Sequence, residues 1–297
     1  MIAVDGNAAK ALGDLIRDQW RVAGIVVKPP PVETGPWPLS LRPDFENVLV
    51  GIARAQPRWK SSPPVREVEA LYVEAIACAR KWIYIENQYL ASATIAEALA
   101  ARLGERDGPD IVAITHMHTL HMFDRPAMGP PQDVWIKRLY AADRWKRLRI
   151  YAPLTASKKP IYVHSKTMIV DDWLLHAGSA NLNNRSMGFD SECDLSIDAY
   201  SNDDNSEIIR GVIRKLLIQL IACHLGRKFE EVDSMLARTG GLIRCIDGLE
   251  SGDGGRLLPV QAPRPSWIRE MIGERQFFDP HGRDDNLRPW RRPPLLR

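Results

Sequence analysis

His164 and Lys166 stand two residues apart in the run Val163-His164-Ser165-Lys166-Thr167-Met168-Ile169-Val170-Asp171, and Gly178-Ser179-Ala180-Asn181 follows closely. These residue types can hold a phosphate diester and attack it. Lys166, Ser179 and Asn181 supply positive charge and hydrogen-bond donors for phosphoryl oxygens. An imidazole titrates where it can attack phosphorus or protonate a leaving alkoxide. A histidine in either role needs its second ring nitrogen held; Glu192 is the first candidate for that partner and Asp194 the second. If 161–170 is a strand, His164 and Lys166 point the same way, roughly 7 Å apart. Asp171 has the opposite parity and lies at the turn, which makes it a supporting carboxylate. Ser179 and Asn181 share a face of the return strand, and Gly178 permits close backbone approach. The set calls for neither a metal nor a cofactor. No second His-x-Lys occurs in the chain.

The motif needs a sheet and helices to hold it. Strands are predicted at 48–53, 82–85, 110–115, 148–152 and 192–198, with the motif as a hairpin of 161–170 and 173–178 turned at Asp171-Asp172. Helices are predicted at 7–20, where Ala8, Leu12, Leu15, Ile16 and Trp20 share a face, and at 65–80, 93–103, 133–145 and 205–225. Proline-rich stretches, Pro29 to Pro38 and Pro126 to Pro131, read as loops. Strands alternating with helices of these lengths indicate an α/β layered fold. Residues 1–64 read as a helix, a connector and a first strand leading into a catalytic half at 65–261; 262–297, rich in proline and arginine, reads as an irregular tail.

Composition narrows the class. A chain of 297 residues is long enough for a sizeable core, and its net charge of +3 argues against nucleic acid as the partner. No apolar stretch approaches the roughly 18 residues of a membrane span, and the first residues carry no signal-peptide pattern. A cytoplasmic or peripheral-membrane protein is expected. Cys78, Cys193, Cys223 and Cys245 are widely spaced and read as buried free thiols. His116, His118 and His121 lack a companion ligand set beyond Asp124, so a substrate-facing loop is the better reading than a metal site. His176 reads as structural and His224 as a complement to a helix dipole. Lys158-Lys159 reads as an exposed basic step, and Arg288-Pro289-Trp290-Arg291-Arg292 as part of the irregular tail. His281-Gly282-Arg283 lacks the lysine and the strand of a second catalytic motif.

His164-x-Lys166-x4-Asp171 with Gly178-Ser179-x-Asn181 resembles the HKD motif of the phospholipase D superfamily. Ile83-Tyr84-Ile85-Glu86-Asn87-Gln88-Tyr89 resembles the stretch before the second such motif, and Gly178 to Met187 the stretch after it. The resemblance implies a mixed sheet flanked by helices on both faces, and two such halves sharing one site. It implies a phosphohistidine intermediate, with Glu86 and Gln88 lining a lipid head-group pocket. It also implies a glycerophospholipid substrate at a membrane surface, hydrolysed or transphosphatidylated to phosphatidic acid and a head-group alcohol. The first motif is absent, so a second copy in a homodimer or a missing N-terminal half is implied as the partner. Rival readings are a cardiolipin synthase-like phosphatidyltransferase, a single-motif nuclease working as a homodimer, and an inactive half.

Overall fold

The computed structural model describes residues 2–29, 37–59, 62–116, 124–250, 256–262, 267, 271, 273 and 279–280, with the backbone alone at 124–128 and 203. Residues 30–36 of the first proline-rich stretch, His118, His121, His281 and nearly all of the predicted tail, including Arg288 to Arg292, lie outside these residues.

The described strands are β1 (Gly51–Gln56), β2 (Val65–Arg66), β3 (Trp82–Glu86), β4 (Asp110–Ile114), β5 (Leu148–Pro153), β6 (Thr167–Val170), β7 (Leu174–Gly178), β8 (Glu192–Asp198) and β9 (Leu257–Pro259). They form one mixed sheet in the order β2-β1-β8-β7-β6-β3-β4-β5-β9. β3, β4 and β5 run parallel, while β6 lies antiparallel to β3 and pairs with β7 as a hairpin. β3 sits inside the sheet, and its apolar residues follow from burial on both faces. Ile83 and Ile85 enter one core, Trp82 and Tyr84 the other.

Helices cover both faces. α2 (Glu67–Cys78), α3 (Ala93–Gly104) and α4 (Asp124–Ala142) supply Tyr72, Ile76, Leu99 and Leu139 to the first core. α6 (Ser206–Leu225), α7 (Phe229–Thr239) and α8 (Leu242–Glu250) supply Ile213, Leu217, Leu236 and Ile246 to the second. A short α5 (Asn184–Gly188) follows the motif hairpin. The expected α/β layering, with a mixed sheet between helices, is present. No helix among the described residues is long and apolar enough to cross a membrane.

Several expectations shift. α4 begins at Asp124 and carries Pro130 and Pro131 inside it, where a loop was expected. Pro126 falls in its first turn, where a missing N–H costs nothing; the two later prolines each forgo one helical bond. Its end comes at Ala142 because Asp143 turns to accept from the Arg147 and Leu148 amides. Residues 65–66 form β2 before their helix starts, and β1 begins at Gly51 rather than 48. All four cysteines are free, but only Cys245 is buried; Cys78 and Cys223 are exposed at helix ends. α1 (Gly6–Val22), capped by the Asp5 carboxylate, forms as expected yet buries none of its residues.

Candidate active site

The motif hairpin departs from the strand expected at 161–170. Regular pairing starts only at Thr167, opposite Glu86 on β3 and Ala177 on β7. Residues 161–166 leave the ladder, so strict face alternation does not govern them. His164 is exposed while Lys166 is buried. The lysine folds back, and its Nζ donates to the His164 carbonyl at 3.0 Å and to Gln88 Oε1 at 3.4 Å. Across the hairpin the Gly178 amide donates to the Lys166 carbonyl at 3.0 Å, which lays the 178–181 loop beside the 164–166 bend.

Asp194 on β8 shapes that loop. Its carboxylate accepts from the Ser179 and Ala180 amides at 2.7 and 3.1 Å and pairs with buried His176 at 2.9 Å. Gly178 faces Asp194 across the strands, and a Cβ on it would stand 2.0 Å from Asp194 Oδ1. Only glycine admits this approach. Asn87 closes the other side: its Oδ1 accepts from the Leu182 amide at 2.9 Å and its Nδ2 donates to the Ala180 carbonyl at 3.3 Å. Asn181 Oδ1 is buried with no hydrogen-bond partner among the described residues.

Some expected contacts are not formed. Glu192, expected to orient His164, instead accepts the Ser179 hydroxyl proton at 2.5 Å. Asp194, the second choice, is taken up by His176 and two amides. The His164 ring has no hydrogen bond among the described residues and lies 6.0 Å from the Tyr162 ring, nearly parallel to it. Glu86, expected in a head-group pocket, is buried and saturated by Tyr84, Ser165 and His224 at 2.6, 2.6 and 2.8 Å. Gln88 is buried too, its amide nitrogen donating to Tyr162 Oη at 2.5 Å while its oxygen meets Lys166. Asp171 has left-handed backbone, φ 50°, and its carboxylate accepts from the Arg80, Lys81 and Trp82 amides. It ties the hairpin turn to the start of β3 and is fully occupied there.

Electrostatics follow from this packing. The Lys166 ammonium pushes the His164 pKa below its ordinary value, and partial burial adds to the shift. Burial lowers the Lys166 pKa against the opposing pull of Glu192 and Asp194. Burial raises the Glu192 pKa, although Ser179 and Ser186 hydrogen bonds oppose it. The result is a buried lysine whose charge disfavours a proton on the neighbouring imidazole, with the Glu192 carboxyl within its field.

Two residues in this network escaped the sequence reading. His224 ends α6, where a dipole role was the natural inference, yet its ring reaches Glu86. Asp279, in the stretch read as irregular tail, is buried and accepts from the Asn184 and Arg185 amides at the start of α5. Both contacts join residues far apart in sequence. The Gly226 that stops α6, with φ 63°, was the one local signal that fixed where His224 would lie.

Comparison with known proteins places this geometry. A family profile described as Phospholipase D matches residues 144–246, which hold the whole hairpin, its loop and β8. Phospholipase D of Phytophthora infestans is 28% identical over 229 residues, covering 60% of this chain and 12% of that protein. Phospholipase D alpha 1 of Nicotiana tabacum is 31% identical over 151 residues, covering 46% of this chain and 19% of its own length. Phospholipase D gamma 2 of Arabidopsis thaliana is 37% identical over 139 residues, covering 41% and 16%. The chain therefore spans less than a fifth of these relatives. Among solved structures, Nuc of Salmonella typhimurium, a phospholipase D family member, aligns with a TM-score of 0.37 at 15% identity, over 54% of this chain and 91% of Nuc. The matched segment is the one in which His164, Lys166 and the Gly178-Ser179-x-Asn181 loop are laid side by side, and it is through that segment that the chain matches the phospholipase D family.

Proposed function

We propose that this chain is a phospholipase D-type phosphodiesterase acting on glycerophospholipids at a membrane surface, with residues 65–261 as its catalytic half. The observation that carries the reading is the bond from the Gly178 amide to the Lys166 carbonyl. It brings His164 and Lys166 against the loop bearing Ser179 and Asn181, a reactive imidazole beside three phosphate-binding groups.

In this reading a neutral histidine attacks phosphorus, the bond to the head-group oxygen breaks, and the departing alkoxide takes a proton from an acid. Water then attacks the phosphohistidine, releasing phosphatidic acid and restoring the ring. Lys166, Ser179 and Asn181 hold the phosphoryl oxygens as their charge grows. The Lys166 field favours the neutral imidazole, as a nucleophile or base requires. Ser179 has a single hydroxyl proton, now given to Glu192. When it turns to a phosphoryl oxygen, the Glu192 carboxylate is released to serve the imidazole. Asp171 supports the turn without touching substrate.

The acid in this mechanism comes from a second histidine, on a partner half that is either a second copy of this chain or the missing N-terminal half. The exposed apolar side of α1, where Ile16 and Trp20 are 54% and 46% exposed, supports a covering partner. Choline release from short-chain phosphatidylcholine tests the reading. His164→Ala is expected to abolish release with the fold intact by circular dichroism. Equal release by wild type and variant would end the assignment.

A further inference from the structure

The last turn of α6 holds a histidine that the chemistry above leaves unused. His224 Nε2 lies 2.8 Å from Glu86 Oε1, and Glu86 Oε2 accepts the Ser165 hydroxyl at 2.6 Å. Ser165 stands between His164 and Lys166. We propose that His224 is a positioning residue which, through Glu86 and Ser165, fixes the 164–166 bend and so aims the His164 ring. This rests on His164 being the reacting histidine.

The bend needs such a restraint because it lies outside the sheet ladder. On one side it is held by the Gly178 amide at the Lys166 carbonyl. On the other, the Ser165 hydroxyl reaches Glu86. Lys166 points inward to Gln88, and the His164 ring has no hydrogen bond of its own among the described residues. Apart from its stacking near Tyr162, the aim of that ring follows its backbone, which Ser165 helps the Lys166 contacts to hold.

Glu86 can serve as an anchor only while its carboxylate is itself fixed. It ends β3 inside the sheet, buried, with Tyr84 and His224 converging on Oε1. Without His224 the carboxylate keeps one partner on that oxygen and is free to rotate or recruit water. Ser165 then loses an acceptor in a defined place. His224 in turn is delivered by α6, whose Ile213, Leu217 and Ile221 share the second core with Trp82 and Tyr84 of β3 and which is stopped at Gly226. The helix that covers one face of the sheet thus reaches the chemistry at its end.

A purely structural His224 would change stability and leave His164 where it is. The two roles separate in histidine-selective carbon-13 NMR of the full chain at one fixed pH, with the His164 signal assigned by its loss in His164→Ala. In His224→Leu the His164 Cε1–Hε1 signal is expected to move by more than its linewidth. In His224→Gln, whose amide nitrogen can replace Nε2 as donor to Glu86, it is expected to stay at the wild-type position. Ser165→Ala cuts the same link at its other end and is expected to displace the signal as His224→Leu does. It also serves if the leucine variant fails to fold. A His164 signal unmoved in either disrupting variant overturns the proposal, as does equal displacement by glutamine and leucine. Absence of lipid hydrolysis by the wild type would refute the phosphodiesterase reading alone, since the NMR comparison needs no turnover.

Discussion

Lys166 shows how one residue sets the state of another. Its ammonium is buried yet faces Gln88, the His164 carbonyl and the field of Glu192 and Asp194. Its charge disfavours a proton on His164, so the His164 pKa sits below its ordinary value. Removing the charge reverses the sign. In Lys166→Met, a near-isosteric change, the His164 titration midpoint followed by NMR is expected to rise toward the usual histidine value of roughly 6.5. A midpoint that fell or stayed put would mean that the two side chains do not sense each other. His164 itself was legible from the sequence through its company, namely a lysine two residues on and a Gly-Ser-x-Asn return. The partners of its neighbours were not. Glu192 and Glu86 look alike in sequence, as carboxylates near a motif, but one meets a serine hydroxyl at the site and the other is sealed by three donors. Side-chain rotamers and burial decide that difference, and neither is written in spacing.

At the scale of elements, the site depends on β7 and β8 lying unusually close where Gly178 meets Asp194. A methyl group at Gly178 would overlap both the carboxylate and the Cα of Asp194, at 2.0 and 2.5 Å. Gly178→Ala must push the strands apart or turn Asp194 away from the Ser179 and Ala180 amides. The expected cost is about 1–3 kcal/mol by urea unfolding, the usual range for forced overpacking, with choline release falling beyond the loss of folded protein. Unchanged stability would show that the strands give way freely. The elements themselves were largely legible. Short apolar runs marked β3, β4, β5 and β8, and longer runs with helical spacing marked α1, α2, α3 and α6, within a few residues. The hairpin's first strand was overextended because apolar Val163 and Ile161 continue its pattern, whereas pairing ends when β7 ends at Gly178. α4 was cut short by its prolines, and α7 and α8 were not marked, although Val232 and Leu236 carry a helical spacing into the second core.

At the scale of the molecule, two cores flank the sheet of nine described strands, while α1 lies outside both with Ile16 and Trp20 of its apolar side exposed. Apolar surface gathered on one helix is a mark of an interface. A partner half that covers it is expected to be lost when the helix is made polar. Sedimentation velocity of the wild type against an Ile16→Ser, Trp20→Ser double variant checks this. Self-association in the wild type that disappears in the variant would identify a second copy as that partner. Association of equal strength in both would place any partner elsewhere.

The strand order also dictates when the sheet can assemble as the chain emerges from the ribosome. β1 is made early, but its long partner is β8, with Gly51 opposite Ser196. Between them in the sheet's far half, β3, β4 and β5 find one another in parallel over short connections. A nascent chain therefore builds the β3–β5 side first and leaves the β8-facing edge of β1 unpaired until residue 198 has left the exit tunnel. Closing so long a loop is an entropic cost met late. The hairpin that carries His164 is the piece that bridges the two sides, since β6 joins β3 and β7 joins β8. The chemical motif is thus also the joint between the parallel strands that assemble early and the β8–β1 side, which closes only once β8 has emerged.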